Sequence, residues 1–390
     1  ADYVNQTYDP DRWAVAAAAA KQVINMEYYS LFTVAPDNQY PYPLADNVPT
    51  APFPDGAGGI DPFHSFADMF NGEGIIQTNK EFIWAMASQN VTNYTHHSFP
   101  VKFGGWGGMS VPQRVVDCFL MMDGRDIHNA SAEYPYVADL NQTIGTNKVL
   151  GSYQLRGDVP KMYDNRSARF YASIGFDRGM WFGNGRTNVN DYNSLYYTPM
   201  RKGEACGIKQ HFYSATGYFC KKLHDYRTIA DKNNFTYEQV PFPAIRLADL
   251  YLLYAEARNE VLGAPDDSVY LYVDRIRERA HLKGVVESWA QHSVNSSKPT
   301  SQTGMREIIH QERMIELAME GQRFWDIRRW KEASDYFNRP IRGWNIKGTT
   351  MEDFYNITLI EKRSFNKKDY LWPYSTQELI NNPSLEQNYG

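Results

Sequence analysis

The chain has 390 residues, a formal net charge of −5 at pH 7 and 43% hydrophobic residues. That length allows one large domain or roughly two or three ordinary ones, with enough apolar material for a sizeable core. The acidic balance excludes the strongly basic surface that non-specific nucleic-acid binding needs, and no apolar run reaches the ~20 residues of a membrane-spanning helix.

Aromatic residues make up 15% of the chain. Many sit in Gly-, Asn- and Pro-rich stretches instead of periodic ones, which suits a surface that offers aromatic faces to a ligand.

In chain order, residues 10–30 read as a helix with Pro10 at its start and Trp13, Ala17, Ala20 and Ile24 on one face. The alanines imply close helix–helix packing. Residues 35–62 are rich in Pro and Gly and read as an extended loop. A short helix is expected over 64–70. A strand is expected over 81–87, with Phe82, Trp84 and Met86 on one side. Residues 93–110 form a loop around FGGWGGM, where glycines beside Trp106 let backbone and ligand approach closely. A helix is expected from Pro112 to a stop at Gly124. Across 125–240 periodicity is weak. Short strands are expected at 170–176 and 212–219, among polar and aromatic turns. Irregular segments on a rigid scaffold tend to carry recognition.

Cys118, Cys206 and Cys220 are too few for a disulfide scaffold. Cys206 and Cys220 are spaced to pair across a 13-residue loop in an exported protein. Together with His211 and His224 they also admit a zinc reading, but the C-x4-H…C-x3-H spacing matches no common finger. No metal or cofactor is expected.

Periodicity returns over 244–262, where Leu247, Leu250, Tyr251, Tyr254, Ala257 and Val261 share a face. A partner helix over 269–282, capped by Ser268, turns Val273, Ile276 and Ala280 inward. The pair forms an antiparallel hairpin close to the ~34-residue tetratricopeptide period. The helix over 10–30 reads as the second half of another such unit. Residues 303–320 are a further helix, with Thr303 as N-cap, a stop at Gly321 and Met305, Ile308, Ile309, Glu312, Ile315, Glu316 and Met319 on one face. A second short helix follows. Glu312, Glu316, Glu320 and Asp326 have two readings: an acid–base pair for glycoside hydrolysis, or an ion network that fixes how the helix docks. Because arginines such as Arg313 and Arg323 lie within reach of each carboxylate, the network reading is favoured. No HExxH, GxSxG, P-loop or dinucleotide fingerprint is present. A strand over 354–360 and a capped turn at Ser375–Glu378 end the chain.

Four separated motifs carry a family resemblance: VPQRVVDCFLMMDGRDI at 111–127, IRLADLYLLYAEARNEV at 245–261, ERMIELAMEGQRFWDIRRW at 312–330 and YLWPYSTQELINNPSLEQNYG at 370–390. In this order they resemble the SusD/RagB family of outer-membrane nutrient-binding lipoproteins. The resemblance implies a mainly α fold, with tetratricopeptide-like helical repeats and a loop-rich region carrying short β-strands. On it, residues 1–35 are a remnant of the repeats and 36–240 the loop-rich ligand-binding region. Residues 241–335 hold the hairpin and signature helix, and 336–390 the C-terminal strand and tail, all within one domain. Family members begin with a signal peptide, a lipidated cysteine and further helical repeats, so this chain is expected to be the C-terminal portion of such a protein.

The resemblance also implies a non-catalytic function. A surface protein, lipid-anchored on the extracellular face of the outer membrane, captures a glycan and delivers it to a SusC-like TonB-dependent transporter. Flat rings cover sugar faces while polar groups take hydroxyl hydrogen bonds. The candidate ligand contacts are Trp106, Trp181, Arg186, Tyr192 and Tyr196. The competing readings are a glycoside hydrolase using an Asp/Glu pair and a helical-repeat scaffold for proteins alone.

Overall fold

The computed structural model describes residues 7–36, 51–53, 55, 58–72, 78–86, 91–150, 153–181, 196–209, 211–230, 235–236, 238–290 and 295–388. It is mainly helical, with short strands paired two by two, as the sequence led one to expect.

The helix Leu247–Leu262 is the axis of the helical half. It packs against Asp11–Ile24 on one side, Asp267–Arg279 on another and Gln302–Glu316 on a third. Small residues make the close approach possible: Ala17 and Ala20 meet a helix that buries Ala248, Ala255 and Ala257. A second apolar cluster, rich in Phe, Tyr and Met, fills the loop-rich half.

Local details differ from the sequence expectation for identifiable reasons. The cap of Asp267–Arg279 is Asp266, not Ser268; its carboxylate accepts from the Ser268 and Val269 N–H groups, both at 3.1 Å, and also pairs with Arg258. Gln302–Glu316 is capped by Ser301, which accepts from the Gly304 N–H at 3.1 Å. The helix ends at Glu316 with Leu317 as its C-cap, short of the expected stop; Gly321, left-handed at φ 84°, instead opens Gln322–Arg329. Residues 168–173 are a helix, followed by a short strand Ile174–Gly175. Every residue from Arg169 to Ser173 is buried, so no one-sided period was there to read. Within 212–219 the only described strand, Phe219–Cys220, starts at the last residue. The helix after Pro112 stops at Cys118, with Phe119 extended. There the buried Arg166 takes the carbonyls of Val116 and Phe119 at 2.8 Å each. In strand Phe82–Met86, an irregular register against Phe242–Arg246 leaves Phe82 buried while Trp84 and Met86 face out. Strand Ile357–Glu361, paired with Ile341–Trp344, follows a short helix Met351–Phe354.

The two halves are joined by a buried ion network. One Glu316 carboxylate oxygen receives Arg246 at 2.7 Å and also Arg279, and the other receives Arg169 at 3.1 Å. Glu312 binds Arg169 at 2.8 Å and Arg277 at 2.7 Å. Glu320 receives Arg246 at 2.8 Å and Lys222, and Glu81 receives Arg246 at 2.7 Å and Arg279. All these side chains are at most 2% exposed. Each carboxylate is thus fully desolvated, a cost that the cations from other elements offset. Burial alone would raise the Glu316 pKa; Arg279, Arg246 and Arg169 overcome that and hold it well below the ordinary 4.5.

The network was expected, but its partners were not. Arg313 turns to Asp249 at 2.8 Å and Asp326 at 2.9 Å. Arg323 lies over the Tyr336 ring, 4.6 Å from its centroid. Glu256 is held by both terminal nitrogens of Arg329 at 2.6 Å and by the Trp330 N–H at 2.7 Å.

Glu316→Gln is expected to cost about 3–5 kcal/mol of stability, read from urea unfolding at pH 7, because it strands buried guanidinium groups. A depressed pKa in the folded state means the stabilisation is complete above the unfolded value near 4.5 and lost as pH falls below it. The wild-type unfolding midpoint is therefore expected to fall steeply below about pH 4.5, and that of the Glu316→Gln variant to fall less.

Candidate functional site

The helix Val91–Ser98 ends on His97 and Ser98 and leads into a tight turn, Val101–Phe103. The chain then doubles back along its own helix. Trp106 N–H donates to His96 O at 2.5 Å, Gly107 N–H to Phe99 O at 3.1 Å and Met109 N–H to His97 O at 2.8 Å. This path needs glycine: a Cβ on Gly105 would stand 2.1 Å from Phe99 O. Trp106 is therefore presented on an over-determined loop, not on a floppy one.

Trp106 is 37% exposed and Phe212 is 43% exposed. Their rings are within 23° of parallel, with centroids 6.2 Å apart. His96 and His97 brace Trp106 edge-on at 4.5 Å and 5.0 Å. This stacked, partly exposed pair forms an aromatic shelf; His97 against Trp106, and Lys209 and His211 close to Phe212 in the chain, are exposed hydrogen-bonding groups.

The shelf is tied to the core. Tyr94, on the same helix as His96 and His97, donates to Lys222 O at 2.9 Å and meets the Cys220 sulfur at 3.0 Å. The ammonium of Lys222 in turn donates to Glu316 O at 3.1 Å and to Glu320. Lys222 therefore links the ion network to the helix that braces the shelf.

The sequence pattern of the SusD family matches residues 80–390. The chain belongs to the SusD family. A relative described as SusD-like protein P2, from Formosa agariphila, is 32% identical over 167 residues, which are 43% of this chain and 29% of that protein. SusD-like protein P38 from the same organism is 34% identical over 143 residues, 37% of this chain and 23% of that one. Among solved structures, one titled BT4246 superposes with a TM-score of 0.77 at 23% identity, covering 99% of this chain and 64% of its own. A SusD-like protein, BF3747, from Bacteroides fragilis NCTC 9343 gives 0.64 at 22% identity, covering 97% and 62%. These structural likenesses establish a SusD-like fold. The chain spans under two thirds of the length of these structures.

Of the residues expected to contact ligand, Trp106 is on the surface and Trp181 is not. Trp181 is 3% exposed, in the strand Met180–Trp181, with Phe99 edge-on at 5.5 Å, Phe103 at 5.8 Å and His224 at 6.2 Å. It underlies the turn that carries Trp106, so its ring faces are taken by protein. Its neighbours in RGMWFGNGR looked like loop, and nothing in them distinguishes a floor from a shelf. Tyr196 pairs with Trp181 through the backbone. Arg186 and Tyr192 lie outside the described residues. Lys102 donates to Tyr197 O at 2.9 Å and so links the Trp106 loop to the same strand pair.

Phe212 and the two histidines were not anticipated. The only available signal was the cluster His211-Phe212-Tyr213 within an irregular stretch. The zinc reading fails on geometry. His211 is exposed while Cys206, Cys220 and His224 are buried, and His224 Nε2 faces the Cys220 carbonyl at 3.3 Å. Among the described residues no cluster of three such ligands exists. Cys206 and Cys220 are both free thiols, and burial pushes Cys206 up to about 12.

Trp181→Ala is expected to cost about 3–5 kcal/mol in urea unfolding, as for other large buried aromatics. Trp106→Ala is expected to cost less, about 1–2 kcal/mol, since its ring is covered only in part.

Proposed function

We propose that this chain is the carbohydrate-capturing part of a non-catalytic surface protein. It holds an oligo- or polysaccharide and delivers it to a SusC-like TonB-dependent transporter. The full-length protein would sit on the extracellular face of the outer membrane through a lipid anchor. Among the described residues no helix is long and apolar enough to cross a membrane. The observation that carries the reading is the shelf of Trp106 and Phe212. An exposed aromatic ring fits the C–H face of a sugar, and aromatic side chains lose little rotamer entropy on binding. Tyr196, Arg186 and Tyr192 remain proposed contacts, Tyr196 on the strand paired with Trp181. Trp181 is proposed to position this region from beneath.

The hydrolase alternative loses its candidate pair. Glu312, Glu316, Glu320 and Asp326 are all buried and each is bound by Arg or Lys. A general acid must reach a substrate oxygen, and these carboxylates reach only protein. The scaffold alternative accounts for the stacked helices but gives no role to an exposed ring pair braced by histidines.

In affinity electrophoresis across a panel of neutral and acidic polysaccharides, at least one polymer is expected to retard the protein. Trp106→Ala and Phe212→Ala are each expected to weaken that retention at least about tenfold, or ~1.4 kcal/mol. Reducing-sugar assays on the same polymer are expected to show no turnover. Retention unchanged in both variants would remove the shelf as the binding site, and sustained turnover would overturn the non-catalytic reading.

A further inference from the structure

A second concavity shares no lining residue with the shelf. It is a groove of about 430 Å3 between the helix Gln113–Cys118 and the hairpin of Ile341–Trp344 with Ile357–Glu361. Arg114, Arg339, Arg342 and Arg363 line it, against one carboxylate, Asp117. In a chain of net charge −5 this is a pronounced local reversal of sign. Asp117 does little to neutralise it. Its oxygen accepts from Gln113 Nε2 at 2.8 Å, and burial raises its pKa.

Two of the guanidinium groups are fixed in place. Arg114 donates to Tyr336 O at 3.0 Å and lies 4.4 Å from the centre of that ring. Arg363 lies 4.9 Å from the Phe337 ring centre, and its Nε is buried without a hydrogen-bond partner. No ion pair engages any of the four among the described residues. Apolar walls of Pro112, Val115, Ile341 and Ile357 complete the groove. Planar, pre-positioned guanidinium forks in such a setting match carboxylate and sulfate oxygens two at a time.

We propose that this groove is a subsite for an acidic saccharide, one carrying uronate carboxylates or sulfate esters. The proposal rests on the glycan-binding reading and extends it to a second surface. The groove is concave and falls within the roughly 300–1,000 Å3 of small-ligand sites; a flat membrane surface cannot enter it. Charge pairing gives specificity, while the apolar walls take the sugar's C–H faces.

The test is affinity electrophoresis against polygalacturonate, dextran sulfate and neutral dextran, at low and high NaCl. The variant is the double substitution Arg339→Gln with Arg342→Gln, both at exposed positions. The control is Lys367→Gln with Lys368→Gln, also exposed, which removes the same charge elsewhere. The expected result is retention on polygalacturonate or dextran sulfate that weakens with salt. It should fall at least about tenfold in the arginine variant, and not in the lysine control. Retention on polygalacturonate alone assigns carboxylate, and on dextran sulfate alone assigns sulfate. Absence of retention on both acidic polymers overturns the proposal, as does equal loss in variant and control. Loss of an acidic polymer in Trp106→Ala but not in the arginine variant would overturn the groove and leave the shelf standing. Absence of retention on every polysaccharide tried would remove the parent reading as well.

Discussion

The structure depends on the desolvated carboxylate of Glu316. It lies on the helix Gln302–Glu316 and is bound by arginines from the strand Phe242–Arg246, the hairpin helix Asp267–Arg279 and the buried helix Ala168–Ser173. Two of those elements belong to the helical half and its entry strand, and one to the loop-rich half. A buried anion satisfied in this way tolerates only one mutual placement of its partners. Replacing such a network by apolar residues often costs nothing in stability, whereas removing one member costs several kcal/mol. Its contribution here is directional. Apolar burial supplies the bulk of the stability, and the network fixes where the two halves meet.

That fixed junction is what makes the shelf useful. Lys222 belongs to the network through its ammonium and to the shelf through its carbonyl, which receives the Tyr94 hydroxyl. Tyr94 holds the helix whose end braces Trp106 with two histidines. The loop itself returns along that helix through three backbone hydrogen bonds, and Trp181 closes the space below. A ring presented on so constrained a support loses little further entropy when a sugar settles on it. Site precision in this protein is a property of its core.

The sequence was most legible where one face of a helix repeats. The helix after Pro10, the hairpin and the signature helix were all visible from their spacing, although the first ends at Ile24 and not at residue 30. So was the structural character of the 312–326 carboxylates, since arginines crowd them in the chain. Their true partners were not visible. Arg169, Arg246, Arg277 and Arg279 come from distant segments, and spacing along a chain says nothing of contacts across it. Residues 168–173 are buried on all sides and so carry no period. Trp106 and Trp181 both stand beside glycines in irregular stretches, yet one is shelf and the other is floor. Burial in a loop-rich region is decided by long-range packing, and the composition of a loop does not encode it.

The most direct test of the central claim is 19F NMR of the protein labelled with 5-fluorotryptophan, titrated with a polysaccharide that retards it in gels. The Trp106 and Trp181 signals are assigned by single Trp→Phe substitutions. The account predicts that the Trp106 resonance moves with ligand while that of Trp181 stays in place. Saturable binding that leaves the Trp106 resonance unmoved would contradict it.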